Sequence, residues 1–178
     1  MLKSKNILSL FVLVAVVILS VSLFSGCSAE ISSDSPVLIK NFECDMCVVS
    51  RNRSYLCSLR RKDTSSTLTV KEPDELDGLK LEYQGGVYSV TFKGLKLSLD
   101  DSKTQLTQHF ADGMMKVLDK TFSLEKISAK QESGIWIYNG DTTYGEFELK
   151  FDGDGKLLSI NIPKIETAIT FENFKEIE

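Results

Sequence analysis

The sequence predicts an α+β fold: a large curved antiparallel sheet of about ten strands, incomplete and half-barrel-like, with one main helix packed on its concave face. Three observations predict it. From Gly78 to Asp100, apolar residues alternate with polar ones at Leu79, Leu81, Tyr83, Tyr88, Val90, Phe92, Leu95, Leu97 and Leu99, the period of strands with one wet and one buried face. A single stretch, about 104–120, repeats its apolar residues at helical spacing: Leu106, Phe110, Met114, Val117 and Leu118. From Phe122 onward the chain returns to short alternating segments separated by turn residues. So many strands beside one helix must curl, split or wrap round that helix to bury a face.

In chain order, residues 1–26 predict a secretion signal. Lys3 and Lys5 give a positive start, and Ile7 to Phe24 is an uncharged, mostly apolar run of 18 residues. Ser25-Gly26-Cys27 closes it with small residues before a cysteine, which resembles the lipobox of bacterial lipoproteins, and that resemblance implies lipidation at Cys27. The alternative is an uncleaved membrane anchor, since a run of this length just spans a bilayer. Both place the rest of the chain on the extracytoplasmic face of a membrane. Residues 27–36 are small and polar, a short tether. The remaining 37–178 is expected to form one domain.

Without Lys3 and Lys5, the 21 basic residues fall to 19 against 25 acidic ones, a net charge of −6 for residues 27–178. That disfavours nucleic acid as a partner, because it is a polyanion. Strands are expected at 37–50, 53–62 and 67–71, with a turn at Arg51-Asn52 and a stop at Pro73. In the meander that follows, Gly85-Gly86 and Lys93-Gly94 are two-residue hairpin turns. They set three apolar layers: Leu79/Phe92/Leu95, Leu81/Val90/Leu97 and Tyr83/Tyr88/Leu99. This meander reads as the nucleus of the sheet. After the helix, strands are expected at 123–130, 134–139, 143–151, 156–162 and 165–172, with Asn139-Gly140 as a hairpin turn.

Candidate chemistry is sparse. Cys44-Asp45-Met46-Cys47 has the spacing of a redox or zinc pair, but it lies in a strand pattern that points the two side chains to opposite faces. Folding at Arg51-Asn52 aligns Met46 with Cys57 and Cys44 with Leu59, which matches apolar to apolar and favours free thiols. A register one residue longer would bring Cys47 opposite Cys57 within bonding range. Asp152-Gly153-Asp154-Gly155 starts like a calcium loop, but Lys156 and Pro163 occupy ligand positions, so it reads as a turn. The basic positions Arg51, Arg53, Arg60, Arg61 and Lys62 read as solvated edges. His109 has no nucleophile beside it, and Met114-Met115 reads as adaptable core filling. No catalytic constellation, cofactor or metal site is expected.

Several segments together carry a resemblance: the Gly26-Cys27 ending, Gly78-Leu-Lys-Leu-Glu-Tyr-Gln-Gly-Gly-Val-Tyr, Phe92-Lys-Gly-Leu and Ile169-Thr-Phe-Glu-Asn-Phe. They resemble small lipoproteins of clostridia and their Firmicutes relatives. More distantly, Asp152-Gly-Asp-Gly-Lys-Leu with two closing strands is similar to the LolA/LolB-like lipoprotein-carrier superfamily. That resemblance implies an incomplete barrel with an apolar cavity for acyl chains or partners, and no catalytic residues. It also implies a helix before the first strand, which Ser28–Pro36 is too short and polar to supply. The expected function is a membrane-anchored, non-catalytic binding module for a lipid or other apolar ligand. Its expected apolar face is Leu81, Tyr83, Tyr88, Val90, Phe92, Leu97, Leu99, Phe110 and Met114. The alternative is a cell-envelope or spore-envelope scaffold with a filled core that docks a protein partner.

Overall fold

Eleven strands hydrogen-bond into one antiparallel sheet in the computed structural model, which describes residues 36–100 and 110–178. The predicted signal 1–26, Cys27 and the tether as far as Ser35 fall outside the described residues, as do helix positions 104–109 with Leu106 and His109. The first six strands are β1 (Phe42–Ser50), β2 (Arg53–Lys62), β3 (Ser65–Glu72), β4 (Lys80–Gln84), β5 (Val87–Phe92) and β6 (Leu95–Asp100). Helix α1 (Phe110–Ser123) follows. Then come β7 (Lys130–Glu132), β8 (Ile135–Thr142), β9 (Gly145–Phe151), β10 (Leu157–Ile162) and β11 (Thr167–Glu176). Their order across the sheet is β6-β5-β4-β3-β2-β1-β11-β10-β9-β8-β7. The chain thus walks outward from the middle to β6, crosses through α1, and walks inward from β7 to the middle.

Local chemistry sets most of these boundaries. Arg51 and Asn52 both adopt positive φ (49° and 62°), as do Gly85 and Gly86 (57° and 85°), which matches the twist of two-residue hairpins. The β1–β2 register is the apolar-matched one: Cys44 faces Leu59, Met46 faces Cys57 and Val48 faces Tyr55. The meander also pairs as its alternation dictates, Leu81 with Val90 and Val90 with Leu97, Tyr83 with Tyr88 and Tyr88 with Leu99. Along β1 the alternate residues Phe42, Cys44, Met46 and Val48 are buried, and Ile169 and Phe171 on β11 continue the same face. Against that face lie Met114, Met115, Val117 and Leu118 of α1, all fully buried. The methionine pair therefore fills core.

The structure departs from the sequence reading in six places. The meander is one edge of the sheet, and its centre is the β1–β11 pair. Of the nine meander residues expected on the covered face, Tyr83 and Tyr88 are buried and Leu81, Val90 and Phe92 half-buried, whereas Leu95 and Leu97 remain 78% and 58% exposed. Residues 37–41 are irregular: Ile39 donates its N–H to the Gly155 carbonyl at 3.4 Å, and β1 starts only at Phe42. The strand expected at 123–130 is the end of α1 and an irregular connection, in which buried Ile127 plugs the core without pairing. Asn139-Gly140 is no turn; β8 continues to Thr142, and the Phe147 ring occupies the space where a side chain at position 140 would stand. Arg61 is buried rather than solvated. Its Nη1 donates to Ser66 Oγ at 3.0 Å and to Asp119 Oδ1 at 3.1 Å, and the guanidinium lies 5.2 Å over the Phe122 ring.

Candidate ligand cavity

On the concave face of the sheet, beneath the start of α1, the described residues leave a space unfilled. Strands β3 to β5 give it a floor of Leu68, Val70, Leu81 and Val90, and Phe110 with Ala111 forms its roof. One wall comes from the β3–β4 connection. There a short 3-10 turn at Asp74–Leu76 and Gly78, at φ +78°, fold the chain back so that Leu76 and Leu79 face inward. That fold-back is pinned by two backbone bonds, Gly78 N–H to the Val70 carbonyl at 3.0 Å and Val70 N–H to the Leu79 carbonyl at 2.9 Å. The opposite wall is Tyr55, whose ring tilts against Phe110 with centroids 4.9 Å apart. The enclosed volume is about 280 Å³.

Polar groups stand at two points of this apolar lining. Arg53 contributes a guanidinium from an exposed position at the start of β2. Asp112, buried in the first turn of α1, contributes a carboxylate held from both sides of the trough. Tyr88 Oη on β5 donates to its Oδ1, and Tyr144 Oη from the β8–β9 turn donates to its Oδ2. Lys116 Nζ, one helical turn on, lies 3.7 Å from Oδ2. Charge-assisted hydrogen bonds of this kind are the strong ones, and a low local dielectric strengthens them further. The carboxylate is thus committed to holding α1 between the two halves of the sheet. Among the described lining residues none is a serine, cysteine or histidine.

Of the residues expected on an apolar ligand face, Leu81, Tyr88, Val90 and Phe110 come together around this cavity. Tyr83, Phe92, Leu97 and Met114 lie outside its lining; Tyr83 packs on Tyr88 with ring centroids 4.7 Å apart, and Met114 is core. The Leu99 side chain is outside the described set. Asp112, Arg53, Leu76 and Leu79 were not expected there. One signal for Asp112 was readable: it sits between Ala111 and Gly113 in a helix, and small residues so placed mark a close approach. A Cβ at Gly113 would stand 2.8 Å from Ile165 Cδ1.

Two larger furrows, of about 630 and 670 Å³, open on the sheet's outer face. Several charges that line the first already pair: Glu43 with Arg60 at 3.2 Å, and Asp45, which flanks Cys44, with Lys71 at 2.6 Å. The second gathers Asp141, Glu146 and Glu148 with no basic side chain in its lining. Both are shallow and solvated, so size does not make either the better site. Cys44, Cys47 and Cys57 are free thiols, the first and last buried. Among the described residues no group of three or more His, Cys, Asp or Glu could hold a metal ion, and no helix is long and apolar enough to cross a membrane.

No family model matches the chain, and a search of the curated proteins gives no match. Among solved structures, it is similar to an uncharacterized conserved protein from Thermus thermophilus, at 12% identity and a TM-score of 0.50, over 79% of this chain and 81% of that one. A LolA superfamily protein from Nitrosomonas europaea matches at 12% identity and a TM-score of 0.47, over 84% and 92% of the two chains. A structure of the CwlD amidase from Clostridioides difficile in complex with the GerS lipoprotein matches at 16% identity and a TM-score of 0.42, over 68% and 76%. At such identities the first likeness speaks for the fold alone.

Proposed function

We propose that this chain is a membrane-anchored, extracytoplasmic binding protein without catalytic activity, which holds an apolar moiety under the first turn of α1. The observation that carries the reading is the cavity of about 280 Å³ with its apolar floor and roof. Ligand sites are commonly apolar clefts of about 300–1,000 Å³ with a few placed polar groups, so this one stands at the small end. That size suits one acyl segment or a small apolar ring rather than the several chains of a whole lipoprotein anchor. The resemblance of Asp152-Gly-Asp-Gly-Lys-Leu and its closing strands to the lipoprotein-carrier superfamily supports the same ligand class. Anchoring rests on the Lys3/Lys5 start, the apolar run and Ser25-Gly26-Cys27; two acyl chains on Cys27 would hold the chain stably.

The test is organic extraction of the purified soluble form that begins at Ser28, followed by mass spectrometry, with a fluorescent fatty-acid analogue as titrant. Bound lipid and saturable titration are expected from the wild type, and loss of both from Val90→Trp, which fills the cavity. An extract with no lipid and no titration would sink the binding reading and leave the alternative, an envelope scaffold that docks a protein partner. For the anchor, metabolic acyl labelling should disappear in Cys27→Ala; unchanged labelling would refute the lipidation site.

A further inference from the structure

The two edges of the sheet are built differently. β7 is three residues long, Lys130-Gln131-Glu132, all exposed, with Lys130 Nζ on Glu132 Oε1 at 2.5 Å. A short, charged edge of that kind resists pairing with another chain. At the opposite edge, β6 is six residues long and hydrogen-bonds only to β5 among the described residues. Its Leu95 and Leu97 are largely exposed on the face that carries the core elsewhere. Along 95–99 this edge has no proline and no bulge in its register with β5, and its one charge is Lys96.

The sequence of this edge is complementary to itself. Lys96-Leu97-Ser98-Leu99-Asp100, laid antiparallel against a second copy with Ser98 opposite Ser98, sets Lys96 against Asp100, Leu97 against Leu99 and the reverse pair again. Every polar position meets a polar one, both charges meet their opposites, and both apolar positions meet apolar ones. Shifting one copy by two residues keeps the faces matched but loses both Lys96–Asp100 pairs, and a shift by four, so that Lys96 opposes Lys96, brings like charges together. A shift by one mismatches the faces. We infer that β6 is a self-association edge, through which two copies of this chain join their sheets about a two-fold axis at Ser98. The contact is isologous, so it closes at two copies. The two concave faces then become continuous across the seam, and Leu95 and Leu97 leave solvent. The five pairs of such a strand contact bury less than the roughly 1,200 Å² of a standard stable interface, so the dimer is weak and calls for capture.

Capture is direct. In the full-length chain in intact expressing cells, Ser98→Cys treated with a mild oxidant should give a reducible homodimer. Glu82→Cys, two strands inward, should not, since strands lie about 4.8 Å apart. The wild type controls for the native cysteines. Lys96→Asp on the Ser98→Cys background should lower the dimer yield at least several-fold, and the exchanged pair Lys96→Asp with Asp100→Lys should restore it. No homodimer from Ser98→Cys, an adduct with a different protein instead, or a yield indifferent to the charge changes would each overturn the proposal. Restoration by the exchanged pair separates a pairing effect from damage to the fold, and Lys96→Asp without the cysteine can be checked by its unchanged thermal transition. The outcome does not depend on whether the cavity holds a ligand.

Discussion

At the scale of single residues, the thiols show how burial decides chemistry. Cys44 and Cys57 lie on the covered face of β1 and β2, and burial pushes each thiol up to about 12 from 9.0. The nearby Asp45 adds to the rise at Cys44, and Cys47 to that at Cys57. A thiol so shifted holds its proton, so neither is a nucleophile near neutral pH. The sign for stability follows: the unfolded chain releases both protons above about pH 9, whereas the folded chain keeps them until about 12. Stability should therefore fall as pH rises across that window. Urea unfolding at pH 8, 9, 10 and 11 will show the midpoint dropping, and the drop should shrink in Cys57→Ala. A thiol reagent at pH 8 should modify half-buried Cys47 well before the other two in the folded protein; simultaneous modification of all three would contradict the register. Face matching along β1 and β2 made this pairing legible in the sequence. Gly140 was not legible, because Asn139-Gly140 carries a strong turn signal and only the Phe147 ring, invisible in one dimension, shows why a strand needs glycine there.

Among the elements, α1 carries the most consequence. Its apolar spacing announced a helix, but not that Asp112 would be drawn in with the apolar residues. A carboxylate in an amphipathic pattern is read as solvated, and the two tyrosines arriving from β5 and the β8–β9 turn, with Lys116 one helical turn on, offset the cost of its burial. Neither tyrosine is near Asp112 in sequence. Asp112→Ala removes the carboxylate that accepts from two buried hydroxyls, and should cost about 3 kcal/mol. Tyr144→Phe removes one hydrogen bond to a charged group and should cost about 2 kcal/mol. Chemical denaturation measures both. Losses of a few tenths of a kcal/mol would mean that the carboxylate is solvated and the clasp does not hold. The same logic explains Arg61, whose burial depends on Asp119 and Phe122, both on the helix that the sequence places nearly sixty residues away.

For the whole molecule, what alternation could announce was the sheet's local pairing. Every hairpin of the meander has the register its apolar residues require, because a slip of one residue turns them all to water. The order of strands was not legible. Nothing in the periodicity of Phe42–Ser50 or Thr167–Glu176 says that these two pair, yet they form the sheet's centre, Val48 opposite Ile169 and Met46 opposite Phe171. That misplaced the nucleus onto the meander, whose signal was stronger because its turns are tight and its strands adjacent. Part of the cavity's lining escaped for a related reason: Arg53 and Tyr55 of β2 and Leu76 and Leu79 of the β3–β4 connection meet the meander and α1 only after the sheet has curved. A truncation ending at Ile162 tests the architecture. It removes β11 and should abolish cooperative unfolding, whereas removal of a true edge strand would lower stability and keep the transition.

The β1–β11 pair also has a consequence for the order of events during synthesis. Of the described strands, β1 is made first and its inner neighbour β11 last, 117 residues apart at the Ser50–Thr167 hydroxyl contact. Until the final segment emerges, the two half-sheets cannot close, and β1 presents a bare row of amides and carbonyls over Phe42, Cys44, Met46 and Val48. The most association-prone stage is therefore the chain made as far as β10, and the ten residues of β11 act as the built-in guard of β1.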